Sequence, residues 1–415
     1  PVLGVDRSRA GTLHAQQENN LLLFRNSFWQ TIPARMGIAC DTECSIQCSR
    51  PAFWSGRWKD SSDLPYPDPC GALIVKKELP PQREEKISFV LGCSASEAGL
   101  KKLVQDHLKP KKDLTDHTEN QLIVKTPDPA LNHMINTWLP WQTTASRIYG
   151  RTGFYQCGGA WGFRDQLQDT ANLALLSPRL LKTHSCRACA SQFPEGDVLH
   201  WWHNLPGDGK KGVRTRYSDD LLWLVYAVCE YLEKTDDYSI LDISVPFASA
   251  ATLKEGEQEA YLTVSQSKEK DTVFNHCIRS IEKAYRLGTH GLVLMGCGDW
   301  NDGYNKVGIF GKGESVWLTQ FLAYLMKRFC VVCERYGAGG KEYLENLKSN
   351  AAKLLAAVDE QAWDGEWYLR AYFDDGSRMG SSTSEECKID SLPQSFSVIS
   401  DMDNRERKKR ALKSV

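Results

Sequence analysis

A chain of 415 residues, 41% hydrophobic and 25% charged, has ordinary globular composition with room for two or three cores. Its formal charge of -1 sets up no global field for nucleic acid or an anionic membrane. No run approaches the roughly 18 to 20 apolar residues that span a bilayer.

Residues 1–93 read as β. Leu21 to Trp29 is strongly apolar, and 71–79 with 86–91, joined across Pro80-Pro81, predict two strands connected by a short loop. Ser94-Ala-Ser-Glu97 reads as a capping box opening a helix to about Leu108. A polar linker from Lys109 to about Lys125 follows. From Pro127 on, helical signals dominate. Asp128-Pro129 is an N-cap with proline at the first helical position, and Pro140 should kink or end that helix. Ser218-Asp219-Asp220 opens another helix, with acids at the positive end of its dipole and an apolar body from Leu221 to Leu232. Further helices run from Val273 to about Gly288, from Ser315 to Tyr336, and through Leu344–Val358. The polar stretch Lys254–Asp271 reads as an inserted loop. The mostly basic Arg405–Arg410 reads as a solvated helix face rather than a nucleic-acid contact. Helices alternating with long loops suggest an α/α toroid with its site at the loop ends.

The chain begins at Pro1 with no signal-peptide pattern, and is read as a piece lacking its native N-terminus. Its fourteen cysteines lack zinc-ribbon spacing: Cys186-Arg-Ala-Cys189 and Cys330-Val-Val-Cys333 lie far apart in sequence, against about 15–20 residues for a ribbon. The expectation is reduced cysteines in a cytoplasmic protein, with a metal or redox site at His184, Cys186 and Cys189 as the lesser alternative. His200-x-x-His203 is not the spacing that sets two zinc ligands on one helix face. Gly308 to Ser315 lacks the spacing of a phosphate-cradling P-loop.

Thirteen tryptophans are many, and several sit beside acids and glycines. Aromatic rings cover the flat C–H faces of sugars, while Asp, Arg, Glu, His and Asn bind hydroxyls. Four segments have this character: Gly158–Asp165, Glu195–His203, Gly212–Asp220 and Gly298-Asp-Trp-Asn-Asp-Gly303. Singly each is weak, because Trp201 and Trp202 fit a core and Arg164–Asp165 fits a structural ion pair. Together they point to a carbohydrate site.

Phe154–Asp169, Glu195–His203, Val213–Trp223 and His290–Asp302 resemble glycoside hydrolase family 94, which holds the cellobiose, cellodextrin and chitobiose phosphorylases. The resemblance covers roughly 120–400. It implies a mainly α chain: the end of a mutarotase-like β-sandwich (1–93), a helical linker (94–126) and the first portion of an (α/α)6 catalytic barrel (127–415). Gly159 stands where cellobiose-type members carry an arginine, and Tyr155-Gln-x-Gly-Gly-Ala160 is similar to 1,2-β-oligoglucan phosphorylases and to the C-terminal region of cyclic β-1,2-glucan synthases. Val293, Tyr304 and Asn204 depart from the usual proline, methionine and proline.

The resemblance makes Asp302 the general acid, with Asp299 its competitor, and puts Trp300 against the donor sugar. Arg164 and Asp165 would bind donor hydroxyls; Arg214, Arg216, His200 and His203 are weaker guesses at the sugar or phosphate site. The implied enzyme is a hexosyl-transferring inverting phosphorylase acting on an oligosaccharide, with β-1,2-linked glucans the favoured substrate. Inorganic phosphate is its co-substrate and no cofactor or metal is expected. Phosphate is already an anionic nucleophile, so one acid suffices where an inverting hydrolase also needs a base. Asp302 should then be buried, or pressed by Asp299, so as to hold its proton near neutral pH. A hydrolase on the same barrel and a non-catalytic sugar-binding relative are the competing readings. Part of the phosphate pocket is expected beyond Val415. Oligomeric state is open, a homodimer being one expectation.

Overall fold

The computed structural model describes residues 13–18, 20–26, 35–56, 69–108, 122–151, 159–204 and 209–415. It divides into two compact units, Pro1–Asp116 with Leu205–Gly207, and His117–Asn204 with Asp208–Val415.

The first unit contains β1 (Leu13–Glu18), β2 (Leu21–Asn26), β3 (Arg35–Cys40), β4 (Ser45–Ser49), α1 (Arg50–Trp54), β5 (Pro69–Ile74), β6 (Phe89–Ser94) and α2 (Glu97–Leu108). An antiparallel sheet in the order β1-β2-β3-β6 is accompanied by the pair β4-β5. Alternation along β2 sends neighbouring leucines to opposite faces. Leu22 joins Ile46 and Cys48, whereas Leu23 joins Ala39 and the α2 residues Leu100 and Val104.

Three expectations change here. The segments 71–79 and 86–91 do not pair with each other: β5 pairs with β4 and β6 with β3. The intervening 76–86 is charged and exposed and carries both prolines, so its flanking apolar runs are drawn into different sheets. Ser94 ends β6, and Ser96 caps α2 by accepting the Gly99 N–H at 3.1 Å. Because α2 packs on this sheet it belongs to the first unit, not to a linker. Trp29, the end of the first apolar run, and most of the polar stretch after α2 lie outside the described residues.

The second unit opens with α3 (Pro129–His133), capped by the Asp128 carboxylate on the N–H groups of Ala130 and Leu131. It continues as one helix through π-helical Met134–Trp138, α4 (Leu139–Gln142) and π-helical Thr143–Gly150. Pro140 neither ends nor interrupts it. The wide turns on both sides accommodate a residue without an N–H.

There follow β7 (Trp161–Gly162), α5 (Phe163–Asn172), α6 (Pro178–Cys189), β8 (Leu199–Asn204), β9 (Lys210–Thr215), α7 (Leu222–Thr235), β10 (Ser244–Ser249), β11 (Glu259–Thr272), α8 (Val273–Ala284), β12 (Val293–Leu294), β13 (Glu314–Ser315), α9 (Val316–Tyr336), α10 (Gly340–Gln361), β14 (Ala371–Tyr372), β15 (Arg378–Met379), α11 (Ser391–Ile399) and α12 (Arg405–Ser414). The helices α5 to α10 share one core centred on α7, whose Leu222, Leu224, Val225 and Val228 are fully buried. α9 is apolar and long enough to match a membrane span, but 78% of that window is buried among the other helices, as in a core helix.

The stretch Lys254–Asp271 is no loop. It holds most of the 14-residue β11, which pairs with both β9 and β10. Its inward side runs Ala260, Leu262, Val264 and Gln266, of which only Val264 is fully buried, so few apolar residues mark the alternation. Two sheets result, β10-β11-β9-β8-β7 and β12-β13-β14-β15. On α6, His184 is buried face to face with Trp161 at 5.5 Å, and among the described residues no His, Cys, Asp or Glu group could hold a metal. All thirteen described cysteines are free. On α12, Arg407 and Arg410 pair with Asp359 and Glu366, as expected of a solvated basic face.

Candidate active site

Two loops meet to form the site. One leads from β9 into α7 through Arg216–Leu221; the other follows β12 through Met295–Tyr304. Ser218 locks them, its Oγ donating to the carbonyl of Met295 at 2.7 Å and its N–H to that of Gly298 at 3.0 Å. Gly296 bridges to Tyr217 with φ +65°, and a Cβ there would sit 2.1 Å from the Arg216 carbonyl oxygen. Only glycine allows both that backbone conformation and that approach.

Asp302 lies at the rim of this junction, its side chain 58% exposed. Arg164, near the start of α5 and 8% exposed, donates from Nη2 to Asp302 Oδ1 at 2.7 Å. Its Nη1 reaches both oxygens of the fully buried Asp219, at 3.2 and 3.1 Å, and the Asp299 carbonyl at 3.2 Å. Burial alone would lower the guanidinium, but Asp219, Asp220 and Asp302 raise it above its ordinary range. Asp219 is pushed up by burial, against the pull of Arg164; Trp223 Nε1 donates to it at 3.0 Å.

Asp220, 1% exposed, faces the other way and takes His200 Nδ1 at 2.8 Å. His200 arrives there through a bulge. The β8–β9 register slips between Leu199 and Trp201, leaving His200 unpaired and re-aimed. Burial lowers the imidazole, but Asp220 outweighs it and holds it up at about 9. The Tyr217 ring lies parallel to the imidazole, centroids 4.4 Å apart, and its hydroxyl donates to the Asp302 carbonyl at 3.2 Å.

Asp299 is a different kind of acid. It is fully buried, contacted by Arg370 Nη2 at 2.6 Å, Ser315 Oγ at 2.7 Å and the Asn301 N–H at 3.1 Å. Arg370, also fully buried, reaches on to Asp390 at 3.2 Å. Asp299 therefore braces the loop from below. The expected burial of Asp302, and pressure on it from Asp299, are not what the structure has: the Asp302 carboxyl is open to solvent beside a guanidinium.

The remaining candidates divide. Trp300 is 45% exposed on the same loop, available as a sugar platform. Asp165 turns from Arg164 towards Arg147, 3.7 Å away. Arg214 is buried and fully engaged by Asp197 at 2.6 and 2.8 Å, Glu195 at 3.0 Å and the Ala251 carbonyl at 3.1 Å. Arg216 donates to the carbonyls of Glu257 and Lys254. Both arginines line a cavity of about 140 Å³ whose walls include neither Asp302 nor Trp300. His203 meets Trp201 edge-on at 5.9 Å, three residues along β8 from His200. So Arg164, His200, Asp299 and Trp300 gather with Asp302, while Asp165, His203, Arg214 and Arg216 take other partners. Sequence reasoning included Tyr217, Asp219 and Asp220 in a sugar-binding-like segment but gave none of them a role at the site, and passed over Arg370. Two adjacent acids at the mouth of an apolar helix were the available signal.

Residues 115–415 match the family profile described as "Glycosyl hydrolase 94 superfamily, catalytic domain". Among curated relatives, the cyclic beta-(1,2)-glucan synthase NdvB of Rhizobium meliloti (strain 1021) is 39% identical over 357 residues, 84% of this chain and 12% of that protein. Solabiose phosphorylase of Paenibacillus borealis is 32% identical over 360 residues, 84% of this chain and 42% of the relative. The 3-O-beta-D-glucopyranosyl-beta-D-glucuronide phosphorylase of the same organism is 27% identical over 394 residues, covering 89% and 48%. The chain thus spans less than half the length of each of these relatives.

Proposed function

This chain belongs to the glycosyl hydrolase 94 superfamily, and we propose that it carries the general acid and donor-sugar side of an inverting glycoside phosphorylase. Asp302 is the acid and β-linked glucooligosaccharides are the substrates. In this reading Asp302 gives its proton to the departing glycosidic oxygen while phosphate attacks C1 from the opposite face. The C1–O bond to the leaving sugar breaks and a C1–O–P bond forms with inversion. A β-glucoside so yields α-glucose 1-phosphate and a chain one unit shorter. Trp300 offers its exposed face to the donor ring. The helix pairs around α7 are read as part of an (α/α)6 barrel.

The observation that carries the reading is the division among the acids of the site. Asp302 has an open carboxyl. Asp219, Asp220 and Asp299 are each buried and engaged by Arg164, His200 and Arg370. One accessible acid suits phosphorolysis, which needs no carboxylate base. The β-1,2 linkage is favoured by the 39% identical relative named for beta-(1,2)-glucan. The test is to incubate the protein with β-1,2-glucooligosaccharides, with and without inorganic phosphate. Glucose 1-phosphate formed only with phosphate is the expected result. Free glucose formed without phosphate makes it a hydrolase, and binding without turnover a non-catalytic relative.

A further inference from the structure

We propose that Asp219 and Asp220 are positioning residues whose two arms, Arg164 and His200–Tyr217, hold Asp302 by its side chain and by its main chain. The inference rests on the reading of Asp302 as the acid, and goes beyond it in explaining how an exposed carboxyl on a loop keeps one orientation.

The arms start at neighbouring residues and leave in different directions. The first is all charge: buried Asp219 fixes Arg164 through both carboxylate oxygens, and Arg164 extends its other nitrogen 2.7 Å to Asp302 Oδ1. The second ends on the backbone: Asp220 grips His200 at 2.8 Å, His200 lies flat on Tyr217, and the Tyr217 hydroxyl holds the Asp302 carbonyl at 3.2 Å. Asp220 Oδ1 is buried and finds no hydrogen-bond donor among the described residues, so His200 is the one donor to that carboxylate among them. A protonated imidazole over a phenol ring is attracted to its face, which fixes the ring plane and hence the direction of the hydroxyl. A side-chain contact alone would leave the peptide free to swing, and a main-chain contact alone would leave the carboxyl free to rotate. Together they define where the acidic proton points, the quantity on which a general acid depends.

The arms should be separable by a mutant cycle read as kcat and KM for glucose 1-phosphate release. Tyr217→Phe keeps the stack and loses the hydroxyl; kcat should fall about five- to tenfold with KM unchanged, the signature of an interaction serving only the transition state. Its unfolding midpoint should stay where it was. Asp220→Asn should lower kcat likewise, though with a lower unfolding midpoint because its buried pair with His200 is lost, and the kcat of the double variant should fall no further than that of either single one, because they share an arm. Tyr217→Phe with Asp219→Asn should multiply. An unchanged kcat in Tyr217→Phe, a raised KM with kcat intact, or multiplying effects of Tyr217→Phe and Asp220→Asn would overturn the proposal. An acid on this loop serves phosphorolysis and hydrolysis alike. Glucose released without phosphate would therefore sink the phosphorylase reading, while the same cycle, followed on glucose, would still judge the arms.

Discussion

Exchanging either acid of the Asp-Trp-Asn-Asp segment for asparagine should give opposite phenotypes. Asp299 and Arg370 are both fully buried and 2.6 Å apart. Asp299→Asn removes the charge that compensates the guanidinium, and breaking one side of a buried pair costs about 3–5 kcal/mol. Arg370 keeps Asp390 at 3.2 Å and Ser315 at 3.3 Å, which places the loss at the lower end, about 3 kcal/mol. With a urea m-value of about 3 kcal/mol/M for a unit of this size, the midpoint should drop by roughly 1 M. Asp302 is 58% exposed, so Asp302→Asn gives up a rim ion pair worth about 0.2–1 kcal/mol and should barely move the midpoint. Its phosphorolysis, however, should fall by about 100- to 10,000-fold, the range for loss of a general acid. The assay pairs urea unfolding followed by helical circular dichroism with initial rates of glucose 1-phosphate formation. If Asp299→Asn leaves the midpoint in place and abolishes turnover while Asp302→Asn stays active, the roles assigned to the two acids are reversed.

The His200–Asp220 pair gives stability a pH signature. The folded-state value of His200, about 9, lies above the ordinary 6.5, so its contribution is complete below pH 6.5 and is lost as pH rises through 9. A shift of that size corresponds to about 3 kcal/mol. His200→Gln should flatten the decline between pH 6.5 and 9.5, and a variant with the wild-type slope would contradict the assignment. Gly296→Ala should destabilise the second unit by about 2 kcal/mol or more, since it adds a Cβ at positive φ against the Arg216 carbonyl; an unchanged melting curve would count against the loop junction. Trp300→Ala should leave stability within about 0.5 kcal/mol yet raise KM roughly tenfold, equivalent to about 1.4 kcal/mol. Unaltered KM would remove it from the sugar platform.

Where the chain signalled its own structure, the signal was local. Asp128-Pro129, Ser315 at the head of α9 and Gly337 at its foot mark helix ends through backbone chemistry that acts within four residues, and the structure has caps at each. The gathering of Arg164, His200, Trp300 and Asp302 was legible because aromatic and acidic residues cluster there against an otherwise apolar helical background. What was missed depends on distant partners. Arg370 could not be paired with Asp299 without the sheet β12-β13-β14-β15 that places it. Arg214 looked free for phosphate until Asp197 and Glu195 folded against it. β11 hides its period of two behind serines and lysines, and its place between β9 and β10 is a tertiary fact. Pro140 was misjudged because the rule applied to it assumes 3.6-residue turns, and this helix is locally wider.

The slip in register at His200 has a consequence for how the protein can vary. Beyond it, Trp201 to Asn204 answer to the sheet: Trp202 stacks with Trp161 and Trp201 leans on Tyr261. His200 alone answers to Asp220. The extra residue thus works as a joint that lets the sheet surface drift under selection without turning the imidazole. Substitutions past the joint should be tolerated at the less buried Trp201 and His203, whereas Trp202 is held in the core. Loss of His200 should remove the extra residue, leave Trp201 to Asn204 on their present partners in β9, and strip Asp220 of its imidazole.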